Sequence, residues 1–175
     1  RKTIQHLVTT CEDSCRFLDL NLRPPHYTED IIEFSLHQCD VLKLNQDELM
    51  MIGEMLSDKQ EYDDIVADIM ESYGIRTTCV TRGSEGCLLY AEGLRFEQEG
   101  RAVDIADTVG AGDAFSAVLA AGILRRQPYA RILDAATFFA GKICAINGSI
   151  PDDDNLYQNL FEQYEDIFSL EQEKH

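Results

Sequence analysis

The sequence predicts an α/β fold with a mostly parallel sheet that is covered by helices on both faces. Short apolar or β-branched runs of strand length alternate along the chain with longer segments of helical periodicity. Glycine, proline or asparagine marks several of the junctions. With 175 residues, 45% of them apolar, the chain is long enough for one substantial domain with its own core, which we place over residues 1–175.

The first half of the chain predicts helices and strands in alternation. Consecutive prolines exclude a helix at the loop Asn21–Pro25, Asn45 is a favourable N-cap, and Gly74 follows the apolar stripe of the last helix of this half. The elements predicted here are a helix over 3–15, a strand over Arg16–Leu20, a helix over Tyr27–His37, a strand over Asp40–Leu44, a helix from Asn45 to about Met51 and a helix over 59–73.

The second half predicts short strands followed by long helices. Ala114–Leu124 is almost wholly apolar, which predicts a helix buried among other elements rather than half solvated. The strands predicted are Thr77–Thr81, Cys87–Ala91, Leu94–Glu97 and Arg101–Ile105; the helices are 111–126, Pro128 to about Ile146, and an amphipathic tail from Asp152 with its stripe at Leu156, Leu160, Tyr164 and Ile167.

Charge and cysteine content narrow the function classes. A net charge of −17 argues against nucleic acid and anionic membranes as partners, because both require a basic surface. No segment reaches transmembrane length, and no signal peptide is visible. The six cysteines lack zinc-site spacing, which favours reduced thiols in a cytoplasmic protein, with Cys79 and Cys87 in strand cores; they are Cys11, Cys15, Cys39, Cys79, Cys87 and Cys144.

The segment Asp107–Phe115 (DTVGAGDAF) sets two glycines and an aspartate at the start of the apolar helix. Exposed N–H groups of a first helical turn attract anions, and Gly110, Ala111 and Gly112 allow a phosphate to approach the backbone closely. Asp113 has two interpretations: it favours the helix N-terminus, or it takes a proton from a hydroxyl during phosphoryl transfer.

Three further segments place polar residues after predicted strands. Each has a simpler alternative: DLNLR (19–23) forms a turn cluster, Asn45 and Glu48 form a capping box, and TRGSEG (81–86) forms a tight turn. Ligands gather at the carboxyl ends of parallel strands, which favours binding roles. His6, His26 and His37 lack the neighbours expected of metal ligands.

The run Asp-Thr-Val-Gly-Ala-Gly-Asp resembles the DTxGAGD signature of the PfkB, or ribokinase-like, family of carbohydrate kinases. DLNLR, NQDE and TRGSEG follow in the family's order, so that about Phe17 to Pro151 resembles its C-terminal half. The resemblance implies a ribokinase-like three-layer αβα sandwich. It also implies that the family's N-terminal half, with its stranded lid, lies outside this chain, which leaves the isolated fragment either active or inactive as a kinase.

The resemblance implies roles for single residues. Asp113 would be the catalytic base and Gly110, Ala111 and Gly112 the anion hole. Asn45 and Glu48 would organise Mg²⁺ indirectly, while Asp107 and the Val109 carbonyl would bind K⁺, unless Asp107 only stabilises its turn. Asn21 and Arg23 would approach the sugar, and the remaining ATP contacts would be Asn45, Thr81, Gly83, Gly86 and Gly141.

The function implied is ATP-dependent phosphorylation of a sugar hydroxymethyl group. DLNLR is closest to fructokinase-like members, and ribokinase or 2-keto-3-deoxygluconate kinase specificity is the alternative. A truncated nucleotide-binding module without kinase activity is the rival from another class. An exposed sheet edge further predicts a homodimer.

Overall fold

The computed structural model describes residues 2–10, 14–152 and 154–169, the side chains of 2–5 excepted, and confirms the predicted alternation of helices and strands. Cys11 lies outside the described residues. The elements in order are α1 (Lys2–Thr10), β1 (Phe17–Asp19), α2 (Glu29–Gln38), β2 (Val41–Asn45), α3 (Gln46–Leu56), α4 (Tyr62–Tyr73), β3 (Thr77–Thr81), a 3₁₀ turn (Gly83–Glu85), β4 (Cys87–Ala91), β5 (Leu94–Gln98), α5 (Ala111–Leu124), α6 (Tyr129–Cys144), α7 (Asn155–Gln163) and α8 (Glu165–Phe168).

The strands form one five-stranded sheet in the order β1-β2-β3-β4-β5. β1, β2 and β3 are parallel, with Phe17 opposite Val41 and Asn45 opposite Thr81. β4 and β5 are joined by Glu92-Gly93, whose φ values of 55° and 73° suit a two-residue hairpin turn. The parallel part carries three of the predicted site segments at its carboxyl ends.

The chain divides into two compact units, Arg1–Arg82 with Leu88–Arg95, and Gly83–Cys87 with Phe96–His175. In the first unit, α3 packs on α4 and against β2 and β3. A Cβ at Gly53 would meet Ile65 Cδ1 at 2.8 Å, so this glycine lets the two helices approach closely. This packing carries α3 on to Leu56, past the predicted end near Met51. The core of the unit consists of Ile32, Leu36, Cys39, Leu42, Leu44, Leu49, Ile52, Ile65, Val66, Ile69, Ile75, Val80 and Leu88.

The second unit is built around the packed helices α5 and α6. A Cβ at Gly122 would lie 2.6 Å from Ile132 Cγ1, so the absence of a side chain at Gly122 permits this close contact between the two helices. α5 is buried along a stripe that includes Phe115, Val118 and Leu119, whereas Leu124 is 67% exposed. The prediction of a wholly buried helix was therefore correct for one face only, because the apolar run includes small alanines that the neighbours do not cover.

Two predicted elements were wrong. Arg101–Ile105 is not a strand, since β5 ends the described sheet and no further strand pairs with this segment among the described residues. The C-terminal helix is interrupted at Tyr164, whose φ of −127° and ψ of 39° are not helical. Arg131 Nη2 donates to the Gln163 carbonyl at 2.9 Å, which gives this carbonyl at the end of α7 a hydrogen-bond donor.

Cys79 and Cys87 are fully buried, as predicted, and the cysteines of the described segments are free thiols. Burial raises the pKa of Cys39 to about 12, so this thiol is not a nucleophile at neutral pH. None of the helices within the described ranges is both long and apolar enough to cross a membrane.

Replacing Tyr164 with phenylalanine is expected to lower the free energy of unfolding by roughly 1–3 kcal/mol. The Tyr164 ring is fully buried and its hydroxyl donates to Asp134 Oδ2 at 2.9 Å, so the variant leaves a carboxylate oxygen without that donor. Denaturant unfolding of Tyr157→Phe is the control, because no hydrogen bond of the Tyr157 hydroxyl is found among the described residues. Equal stability of the two variants would contradict the assigned role.

Candidate active site

The start of α5 has backbone N–H groups with no acceptor among the described residues. Gly110 is the N-cap, with φ 84°. The Ala111 N–H donates to Thr108 O at 3.3 Å and the Ala114 N–H to Gly110 O at 2.9 Å. Within the described parts of the chain, no acceptor binds the N–H of Gly112 or Asp113. Two donors at the positive end of the helix are therefore available to an anion.

Asp113 lies in the first turn of α5 with its side chain exposed. No donor among the described side chains or backbone groups contacts its carboxylate. The favourable charge at a helix N-terminus accounts for an acidic residue here. An exposed aspartate in this position can also act as a general base toward a bound hydroxyl group.

Asp107 ties the turn before α5 to the loop after α6. Its Oδ1 accepts the Val109 N–H at 3.1 Å and its Oδ2 accepts the Gly148 N–H at 3.2 Å. These two hydrogen bonds lower the pKa of Asp107 below its ordinary value. The next residue of the loop, Ser149, lies against Gly110, where a Cβ would be 2.5 Å from Ser149 Cβ. The turn-stabilising interpretation of Asp107 is thus the one the contacts display.

We expect the amide resonances of Val109 and Gly148 to titrate together at a pH below 3.8, the ordinary pKa of an aspartate. Because the pKa is lower in the folded chain than in the unfolded one, ionised Asp107 stabilises the turn at higher pH. That contribution disappears as the pH falls through the lowered pKa. An NMR titration checks this, with Asp107→Asn as the control; a midpoint above 3.8 would contradict it.

Asn45 and Glu48 form the capping box that their spacing predicts. Asn45 Oδ1 accepts the Glu48 N–H at 2.9 Å, and Glu48 Oε2 accepts the Asn45 N–H at 2.8 Å. The other oxygen, Oε1, accepts the Leu22 N–H at 2.7 Å. Glu48 is only 6% exposed. Sequence reasoning missed the contact with Leu22, because a backbone donor leaves no signal in residue types.

The loop after β1 does not hold its three polar side chains in one direction. Asp19 pairs with Lys43 Nζ at 3.1 Å, and Lys43 is itself buried. Asn21 has φ 43°, which interrupts the extended backbone, and its Oδ1 accepts from Arg23 Nε at 3.2 Å. Sequence reasoning missed Lys43, although a lysine inside an apolar strand signals a buried partner.

The other residues predicted to contact the nucleotide also make contacts within the protein. Thr81 Oγ1 donates to Leu44 O at 3.4 Å at the end of β3. Gly83 O accepts the Gly86 N–H at 3.2 Å, and a Cβ at Gly86 would lie 2.0 Å from Gln98 O, so only glycine fits there. Gly141 lies in α6, and a Cβ there would be 3.3 Å from Val103 Cγ1.

The predicted site residues lie in two sets, one in each unit. The first set is brought to the carboxyl ends of β1, β2 and β3 and consists of Asn21, Arg23, Asn45, Glu48 and Thr81. The second set surrounds the start of α5, with Gly83, Gly86 and Gly141 elsewhere in the same unit; its members at the turn are Asp107, Val109, Gly110, Ala111, Gly112 and Asp113.

Comparison with known proteins shows the family of this chain. Residues 1–155 match the family model described as pfkB family carbohydrate kinase. The chain belongs to this family. Fructokinase of Escherichia coli is 34% identical over 89 residues, covering 51% of this chain and 28% of that protein. Fructosamine kinase of Bacillus subtilis is 33% identical over 84 residues, covering 48% and 30%.

Solved structures establish the ribokinase-like fold of this pfkB family chain. Ribokinase from Thermotoga maritima superposes with a TM-score of 0.75 at 18% identity, covering 92% of this chain and 53% of that one. The chain therefore spans about half the length of the solved structures it matches, and the aligned parts span less than a third of the curated relatives described above.

Proposed function

We propose that the protein of which this chain is part phosphorylates a sugar hydroxymethyl group with ATP. The observation that carries the proposal is the exposed carboxylate of Asp113, which no described group contacts, beside backbone donors that no described group engages. A base and an anion-binding turn on one rigid helix are the two parts that phosphoryl transfer needs from the protein. Membership of the pfkB family supports the same chemistry.

In the proposed reaction, Asp113 accepts the proton of the sugar hydroxyl as its oxygen attacks the terminal phosphorus of ATP. The bond from phosphorus to the bridging oxygen breaks, and ADP leaves with that electron pair. The N–H groups of Gly112 and Asp113 donate to the oxygens of the transferring phosphoryl group. Gly110 and Ala111 were also predicted as donors, but the Ala111 N–H already donates to Thr108 O. We propose that these two residues shape the turn that presents the donors. Since the donors are fixed by the helix, they need no reorganisation during the reaction.

ATP and Mg²⁺ are proposed as the phosphoryl donor and its counterion. Glu48 does not fit as a direct ligand of Mg²⁺, because it is buried and each of its oxygens already accepts a backbone N–H. Among the described residues no group of three or more His, Cys, Asp or Glu side chains could hold a metal ion. Indirect organisation of Mg²⁺ by Asn45 and Glu48 stays a prediction, and we propose Asn45, Thr81, Gly83, Gly86 and Gly141 as nucleotide contacts.

K⁺ at Asp107 and the Val109 carbonyl stays a prediction. Both Asp107 oxygens accept backbone N–H groups, so a cation would share them with Val109 and Gly148. The predicted cytoplasmic location and homodimer are also retained as proposals. The acidic composition argues against nucleic-acid and membrane partners, and the proposed ligands are small molecules, a sugar and ATP.

Fructokinase-like specificity is proposed for the acceptor, with Asn21 and Arg23 as sugar contacts. The test is a coupled assay of ADP release by the whole protein with fructose, ribose and 2-keto-3-deoxygluconate. We expect ADP release that depends on sugar and is fastest with fructose. Preference for either other sugar would move the specificity to that class. ATP binding without sugar-dependent ADP release would instead favour a nucleotide-binding module.

A further inference from the structure

The Glu48 carboxylate joins the start of α3 to the loop that follows β1, the parallel neighbour of β2. Oε2 accepts the N–H of Asn45, which ends β2 and caps α3, and Oε1 accepts the N–H of Leu22, in the loop after β1. Leu22 and Glu48 are 26 residues apart in sequence. Glu48 is 6% exposed, so water competes little for either oxygen. Glu48 is therefore a buried bridge between the β2–α3 junction and the loop after β1.

Helix capping explains only half of this arrangement. The glutamate of a capping box needs one oxygen, which reaches back to the N-cap N–H. The bond to Leu22 lies outside the box, and at 2.7 Å it is as short as charge-assisted hydrogen bonds are. Leu22 belongs to no strand, and within the described ranges Glu48 is the one acceptor of its N–H.

The Leu22 bond fixes the residues on either side of it. Asn21 precedes it with φ 43°, a conformation that costs free energy for a residue other than glycine and persists where its surroundings hold it. On the upstream side, the Leu20 N–H donates to Lys43 O at 3.0 Å. The hydrogen-bonded N–H groups of Leu20 and Leu22 thus lie on either side of Asn21, and Leu22 also directly precedes Arg23. The exposed side chains of Asn21 and Arg23 depend on Glu48 for their placement.

We propose that Glu48 is a positioning residue for the acceptor sugar, holding the Asn21–Arg23 loop through the Leu22 N–H. The inference rests on the proposed sugar-kinase function. A direct Mg²⁺ ligand at this position would compete with a backbone donor for one of the two oxygens. Glu48 thereby acts on the sugar side of the reaction, and the predicted indirect role in organising Mg²⁺ is the alternative that the variants below separate from it.

Three variants of the whole protein separate these roles. Glu48→Gln keeps the length of the side chain but sets an amide NH₂ against one of the two backbone donors. Glu48→Asp keeps the charge and a carboxylate but is too short to reach both the Asn45 N–H and the Leu22 N–H. Asp47→Asn is the matched control, since Asp47 is an exposed acidic residue in the same first turn of α3. It removes the same charge near the helix N-terminus and leaves the bridge intact.

We expect both Glu48 variants to raise the KM for the sugar about tenfold or more, which is the loss of one hydrogen bond to a charged group. The KM for ATP and the half-saturating Mg²⁺ concentration should stay within about twofold of wild type. Hydrogen exchange of the Leu22 amide should accelerate about tenfold or more, while β2 and β3 amides are unchanged. Asp47→Asn should resemble wild type in all of these measurements.

A shift of the Mg²⁺ requirement with an unchanged sugar KM would overturn the inference, as would rescue of the sugar KM by Glu48→Asp. Exchange of the wild-type Leu22 amide as fast as an unprotected loop amide would also overturn it, and this measurement needs no variant should the Glu48 variants fail to fold. Failure of the proposed function has a different signature: no sugar-dependent ADP release by wild type, with the Leu22 amide still protected by Glu48.

Discussion

Asp113→Asn is expected to lower kcat for sugar phosphorylation by about 10³-fold, within the usual contribution of a general base. The amide keeps the size of the side chain but cannot accept the proton of the sugar hydroxyl. The N–H donors at the start of α5 belong to the backbone and remain in place. The dissociation constant for ATP should therefore change by no more than about twofold, because the base acts on the acceptor hydroxyl in the transition state.

The control for this variant is Asp104→Asn. Asp104 is an exposed carboxylate in the same unit, on the segment that precedes the turn. The Asp104→Asn substitution removes one negative charge without changing any residue of α5, so both kcat and the affinity for ATP should stay near wild type. Near-normal kcat in Asp113→Asn would refute the assignment of the base, whereas an equal loss in both variants would indicate a general charge effect.

Gly110→Ala is expected to have the second largest effect, lowering kcat about 10²-fold, as loss of an anion-hole donor does. Gly110 has φ 84°, and a Cβ there would lie 2.5 Å from Ser149 Cβ and 3.0 Å from its Cα. The turn must move away from the 148–150 loop to accommodate the methyl group, and the Gly112 and Asp113 donors move with it. The free energy of unfolding should also fall by roughly 1–3 kcal/mol.

Gly74→Ala separates backbone strain from displacement of the turn. Gly74 caps α4 with φ 69°, and a Cβ there would have nothing within 4 Å. Gly74→Ala introduces similar backbone strain without a steric clash, so the free energy of unfolding should fall by about 1 kcal/mol while kcat is retained. Denaturant unfolding and steady-state assays of both variants decide the matter. Full activity in Gly110→Ala would mean that the turn does not determine the positions of the Gly112 and Asp113 N–H groups.

Sequence reasoning succeeded where a local pattern determines the structure. Asn45 and Glu48 stand at capping-box spacing, and the box forms. Gly74 follows an apolar stripe, and it caps α4 in the left-handed conformation. The glycines before Asp113 indicated a helix start, and α5 begins at Ala111. In each case the determining interactions lie within a few residues of one another.

The failures have a common physical cause in partners that are distant in sequence. Arg101–Ile105 has strand composition, but a strand also requires a neighbour to pair with, and none adjoins it in the described sheet. The break at Tyr164 depends on Asp134 and Arg131, thirty or more residues upstream. The bridge from Glu48 to Leu22 uses a backbone N–H, which every residue except proline possesses. Residue identity alone therefore could not reveal any of the three.

The central claim is that the start of α5 transfers a phosphoryl group from ATP to a sugar with Asp113 as the base. The most direct measurement is the sugar phosphate formed in a single turnover of the whole protein with ATP and fructose, for wild type and Asp113→Asn side by side. We expect sugar phosphate and ADP in equal amounts from wild type, and product formation about 10³-fold slower from the variant at equal ATP occupancy. Sugar phosphate formed equally fast by both proteins would contradict it, and so would wild-type protein that binds ATP and forms none.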